Sequence, residues 1–303
     1  MKTVQNIIFF LLITQTLFAQ MTAFNIYPTM HHTTIDNKIR ILDAKELEFH
    51  NPKISELSGL VYKKGYLYAL SDQGYLAIFK LTLHNDKITK LTLVHKYVLR
   101  KKNVALHSHD SEGLAFKGTD LLISFERKQR VDLYSTKGVK ISKMKINKAL
   151  RDQKEYESKN KGLEGVAYNK KYGIVTAPEK PLKNVDAKFH RLYSRFGIYK
   201  FKAKGSITGL EFIDKDNILV LLRQFDYFPL KRVTSLVKVD LSKCTKEHIC
   251  KSELLAAFSS DKGWNIDNFE GVTKVGKNRY LMVSDDNDNI FQKTLLVLFE
   301  IRR

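Results

Sequence analysis

A short pattern recurs five times along this chain, and that recurrence constrains the fold more than any other feature. The segments ELSGLVYKKGYLYALSD from Glu56, DSEGLAFKGTDLLISFE from Asp110, GLEGVAYNKKYGIVTAPE from Gly162, SITGLEFIDKDNILVLLR from Ser206 and NFEGVTKVGKNRYLMVSD from Asn268 align without gaps at their starts. Each sets a glycine before an apolar residue: Gly59, Gly113, Gly165, Gly209 and Gly271. The intervals between them are 54, 52, 44 and 62 residues, which suits a four-stranded propeller blade with long loops.

Each repeat reads as strand, turn, strand. In the second, Leu114 and Phe116 are separated from Leu121–Phe125 by Lys117-Gly118-Thr119-Asp120; apolar runs joined by Gly, Asn, Asp and Lys are hairpins. Further strand-like runs follow each hairpin, and no segment keeps a helical period over several turns. The fold class is therefore all-β, a propeller of about five four-stranded blades. A sixth blade in the 62-residue interval or in residues 140–160 stays open. The fifth repeat has only three strands before the chain ends, while Ile39 to Phe49 is a strand-like run with no hairpin of its own. Pairing the two closes the ring and hides its edges.

The repeats also align a set of charges. Immediately before the repeat glycine stand Ser58, Glu112, Glu164, Thr208 and Glu270; 14 or 15 residues later, at the end of the second strand, stand Asp72, Glu126, Glu179, Arg223 and Asp285. Antiparallel strands return the chain to its starting edge, so all ten gather at one channel mouth. Seven are acids, where 32 Asp+Glu in 303 residues would put about one by chance. Close like charges are costly and raise pKa values unless neutralised, so a cation or a cationic partner is expected. The bland account is that the acids cap turns and pair with lysines.

Basic residues follow the acids: Arg127 after Glu126 and Lys180 after Glu179, with Arg223 replacing an acid in the fourth repeat. Carboxylates beside basic groups suit a calcium-assisted phosphate ester site, where oxygens hold a hard cation and Lys or Arg binds phosphate. The stretch from Ser284 to Asn289 offers more oxygens, but lacks the glycine and distal glutamate of a calcium-binding helix-loop-helix. In His107-Ser-His-Asp-Ser-Glu112 a triad of consecutive residues is geometrically poor; His109 alone remains as a ligand or general acid, or as a loop histidine without a role. No nucleophile-elbow, zincin or phosphate-loop motif is present.

The N-terminus bounds the compartment. Lys2, the apolar run Ile7 to Ile13 and Ala19 before Gln20 read as a signal peptide over residues 1–19; 20–38 is a lead-in and 39–303 the propeller domain. A periplasmic or secreted location follows, with no stable membrane span after cleavage. The only cysteines, Cys244 and Cys250, are expected to form a disulfide there. The formal charge of +20 raises polyanions as partners: nucleic acid, an anionic membrane surface, or small phosphorylated or other anionic molecules; lysines are scattered and no RNA- or zinc-finger signature appears, so no nucleic acid is expected and a small anionic substrate is. A monomer is expected.

These segments, with the ending NFEGVTKVGKNRYLMVSDDND and QKTLLVLFEI, resemble the phytase-like family, with its esterase-like phytase domain, from about Ile54 to Ile301. The resemblance implies a β-propeller and hydrolysis of phosphate esters, though fold travels further than activity. By that likeness Glu112, Glu126, Glu164, Glu179, Arg223, Glu270 and Asp285 match the family's recurring charged positions; Ser58 and Thr208 depart from them. The reading is a periplasmic phosphoesterase. Calcium or a similar divalent ion would sit among Asp72, Glu112, Glu126, Glu164, Glu179, Glu270 and Asp285, with Glu112, Glu164, Glu270 and His109 at the chemistry and Arg223, Lys180 and Arg127 on the phosphate. The alternative is a binding propeller in which the ring holds a structural ion or a cationic ligand.

Overall fold

A strand with one wet face alternates buried and exposed residues, yet the first strand of each repeat does not. Leu57–Lys63, Ser111–Lys117, Leu163–Asn169, Ser206–Phe212 and Asn268–Lys274 each bury their first five residues on both faces. The computed structural model, which describes residues 20–28, 38–50, 52–102, 104–105, 110–158, 161–228 and 230–302, shows why. These strands are the innermost of five sheets around an axis, and each is packed between its neighbours.

Blade one runs outward from Leu57–Lys63 through Tyr66–Ser71 and Tyr75–His84 to Lys87–Val98. Blades two, three and four are likewise four-stranded antiparallel sheets ordered from inside to outside, ending at Lys140–Lys143, Ile198–Phe201 and Cys250–Ser259. In blade five, Asn268–Lys274, Arg279–Asp285 and Leu295–Ile301 are completed by Ile39–Glu48, which pairs antiparallel with the last strand (Ile41 opposite Phe299, Lys45 opposite Leu296). Closure by the two ends is thus as expected, and Gln20–Ala23 adds an outer fifth strand to this blade. The count is five. The 62-residue interval is filled by the long strands Asn217–Tyr227, Leu230–Cys244 and Cys250–Ser259, and residues 148–155 hold two single 3-10 turns instead of a blade. Cys244 and Cys250 are disulfide-bonded across the turn between the last two of those strands. No helix among the described residues is long and apolar enough to cross a membrane.

The repeat glycine has a steric cause. A Cβ on Gly59 would lie 2.6 Å from the Glu112 carbonyl oxygen, and one on Gly113 would lie 2.4 Å from that of Glu164. Inner strands converge toward the axis, and only a residue without a side chain lets the next blade approach. At this level the channel narrows to about 10 Å³, room for about one water, so the mouth is blind.

Candidate functional site

A β-bulge recurs beside the glycine. Pairing slips between Leu57 and Gly59, Leu163 and Val166, Ile207 and Gly209, and Phe269 and Gly271; in blade two it slips opposite Ile123 and Phe125. A bulge lets two residues oppose one and re-aims a side chain. Ser58, Glu112, Glu164, Thr208 and Glu270 all sit on these bulges and are buried. The two non-acids bind backbone instead: Ser58 Oγ donates to the Ser111 carbonyl at 2.7 Å, and Thr208 Oγ1 to that of Phe269 at 3.1 Å. They link neighbouring blades, which accounts for the gaps in the acidic pattern.

One step toward solvent, the ends of the second strands form the upper tier. The amides of Asp72, Glu126 and Glu179 donate to the carbonyls of Glu56, Asp110 and Gly162, and Arg223 and Asp285 pair with Ser206 and Asn268. Gly162 is decisive here, because a Cβ there would fall 1.9 Å from the Glu126 carbonyl oxygen. Its bare backbone lets blade two lean onto blade three. Glu126, Glu164 and Glu179 consequently each offer a carboxylate oxygen, all within 4.8 Å of one another. These three could hold a metal ion.

The electrostatics of the ring fit that use. Burial, then the charges of Glu179 and Asp110, lifts Glu126 to about 7. Burial and its acidic neighbours lift Asp72 to about 8 and Asp285 to about 9. Glu112 is pushed well up first by burial and then by Glu164 and Glu270, and Glu164 first by burial and then by Glu179 and Glu270. Glu270 is raised by burial, with Arg223 and Asn268 opposing. Asp72 Oδ1 is buried without a hydrogen-bond partner. A buried carboxylate oxygen left unpaired is costly.

Arg223 supplies the positive charge the chain itself provides. Its Nη1 donates to Glu270 Oε1 at 2.5 Å and to Asn268 Oδ1, and its Nη2 lies 3.6 Å from Glu179 Oε1. Burial works to lower its pKa, and the carboxylates of Glu270, Glu179 and Glu164 override this and raise it. Lys161 Nζ reaches Glu179 Oε2 at 2.7 Å. Beside the triad opens a cleft of about 940 Å³ that Glu179 and Arg223 share with the ring. Lys161, Lys180, Lys204 and Arg232 border it, with Glu157, Asp226 and Asp267 as acids.

The structure therefore brings the seven ring acids and Arg223 to one mouth and Lys180 to its cleft. Arg127 is exposed and 3.3 Å from Asp110 Oδ1 beside Glu126, whose pKa its charge lowers, and it is not among the residues that border the cleft. His109, with residues 107 and 108, lies outside the described residues. Of the stretch from Ser284 to Asn289, Asp285 belongs to the ring. Asp286 instead accepts from the Glu56 amide and from Thr294, and Asp288 pairs with Lys53. Sequence reasoning missed Glu56, Asp110 and Asn268, although the alignment had a signal for them. They share one repeat position, three before the glycine. Lys161, Lys204 and Arg232 carry no such signal.

Fold and mouth together define a five-bladed propeller whose blind channel opens onto a buried carboxylate cluster and a cation-bordered cleft. The family model for phytase-like proteins, described as "Esterase-like activity of phytase", matches residues 52–288, and the chain belongs to that family. No curated protein matches the sequence. Among solved structures it is similar to the Myxococcus xanthus glutaminyl cyclase, at 12% identity over 88% of this chain and 97% of that one with a TM-score of 0.49. It is also similar to U3-55K, at 8% identity over 86% and 98% with a TM-score of 0.46.

Proposed function

We propose that the protein is a periplasmic phosphoesterase whose mouth works with a divalent cation, calcium by the hardness of its all-oxygen donors. The observation that carries this reading is the sharing of Glu179 between the two halves of the site. It belongs to the carboxylate triad and to the wall of the cationic cleft. Glu126, Glu164 and Glu179 would hold the ion. When bound, such an ion supplies a Lewis acid toward a phosphoryl oxygen and an activated water. The chain's own groups do the rest: Lys161 and Lys180 bind the phosphate, and Arg223 holds Glu179 and Glu270 in place beneath it. Glu112, kept protonated by burial and by Glu164, can donate a proton at the mouth. The signal-peptide pattern read in the sequence of residues 1–19 and the Cys244–Cys250 disulfide are what support the periplasmic location.

The second reading, a binding propeller with a structural ion, is favoured by one observation. The Arg223 guanidinium already spends Nη1 on Glu270 and Asn268. Release of inorganic phosphate from a panel of phosphomonoesters and diesters separates the two, measured with calcium and again with chelator. Calcium-dependent release from any ester supports the enzyme; calcium binding with no release from the whole panel supports the binder.

A further inference from the structure

The second strand ends at the ring in blades one, two, three and five, but in blade four it continues from Arg223 to Tyr227 and returns from Leu230. Four further residues at roughly 3.3 Å each lift this hairpin about 13 Å beyond the mouth. Its end is apolar where solvent contact calls for polar residues: Tyr227 is 73% exposed, Phe228 98% and Leu230 70%. Across the cleft, the loop before the last strand shows Ile290 at 92% and Phe291 at 83%. Phe225 and Tyr227 pack edge to face at 4.6 Å, and together with Phe291 they border the cleft. Both apolar tips therefore flank one opening, and fully exposed large apolar groups grouped in this way mark an interaction surface.

We propose that this face docks on an anionic lipid bilayer, with Phe228, Leu230, Ile290 and Phe291 entering the interface and the mouth facing the headgroups. Two observations choose the bilayer. The tips are separate, protruding points on either side of a polar cleft, which suits shallow insertion at the interface, where aromatic and aliphatic side chains settle. The chain carries +20, and Lys161, Lys180 and Lys204 border the same cleft as Tyr227 and Phe291; basic groups at a surface are drawn to anionic lipid. The surface is independent of the phosphoesterase reading, because vesicle binding is measured without turnover.

The test is co-sedimentation of the full protein with vesicles of phosphatidylcholine alone and of phosphatidylcholine with phosphatidylglycerol. Wild type is expected to pellet with the anionic vesicles and to remain in solution with the neutral ones. Phe228→Ser with Phe291→Ser should weaken anionic binding by roughly tenfold or more, with an unchanged melting temperature because both side chains are exposed. Phe228→Trp supplies a second measurement, since the single native tryptophan, Trp264, is buried: its emission should shift to the blue with anionic vesicles. Absence of wild-type binding, equal binding by the serine variant, or an unshifted Phe228→Trp spectrum would each overturn the proposal. So would a wild-type dimer on size exclusion that the serine variant abolishes without any vesicle binding, which would make a second copy of the chain the occupant.

Discussion

Replacing Glu164 by Gln removes the charge at the centre of the carboxylate triad and keeps its shape. The oxygens of Glu126, Glu164 and Glu179 lie within 4.8 Å; at an effective dielectric constant of about 20, two unit charges at that distance repel by roughly 3.5 kcal/mol. Glu164 takes part in two of the three pairs. Lys161 and Arg223 already offset Glu179, and partial protonation relieves the others, so the net relief in a cation-free protein near pH 9 is about 2–3 kcal/mol. At about 2–4 °C per kcal/mol for a large domain, Glu164→Gln should melt roughly 5 °C or more above wild type in chelator. Near pH 3.5, below the ordinary carboxyl range, where Glu164 is protonated in the folded protein and in the unfolded chain alike, the difference should vanish. With calcium at a thousandfold excess over Kd the order reverses, because wild type gains about 4.1 kcal/mol, more than the relief, and the variant gains little. The assay is thermal melting at both pH values, with chelator and with calcium. A variant that melts below wild type near pH 9 in chelator, or keeps the full calcium gain, refutes the reasoning.

Cation-free wild type should itself lose stability as pH rises. Glu126, Asp72 and Asp285 hold protons when folded that the unfolded chain has released, so stability is full below the ordinary carboxyl range near 4. It falls through about 7, 8 and 9, where Glu126, Asp72 and Asp285 titrate; melting curves in chelator that rise across this window would contradict the shifts. Gly162→Ala should push Glu126 off the triad through the 1.9 Å clash with its carbonyl, lowering calcium affinity more than it lowers the melting temperature in chelator; equal affinity would detach Glu126 from the site. Arg223→Ala leaves Glu179 and Glu270 uncompensated and should destabilise by about 3–5 kcal/mol, the usual result of breaking a buried pair from one side. Arg223→Lys should recover much of that loss, and a neutral Arg223→Ala would remove the tie between blades.

The repeat glycines carried most of the fold into view, because their steric role recurs at each blade and leaves an aligned mark. The strand His190–Ser194 stayed hidden for the opposite reason. It buries all five residues, yet three are His190, Arg191 and Ser194. Arg191 is satisfied by the carbonyls of Asp186 and Phe189, and His190 stacks on Phe201 with burial lowering its pKa to about 4. Such local partners are invisible in a hydropathy pattern. At the site, the ring was legible because register repeats with the blade. The triad was not, since it depends on blade two leaning across Gly162. Lys161, Lys204 and Arg232 reach the cleft from loops and long strands that differ from blade to blade, so alignment could not collect them.

Without an ion Glu164 holds its proton and Glu126, lifted to about 7, holds one in part; both would ionise to hold a cation. Calorimetric titration of calcium into chelator-stripped protein near pH 7.5 measures this directly when repeated in buffers of different ionisation enthalpy, because ligand carboxyls must release their protons to bind metal. Saturable binding whose heat varies with the buffer, reporting proton release, and which Glu164→Gln abolishes, is the predicted result. No saturable binding, or binding whose heat is the same in every buffer, would contradict it.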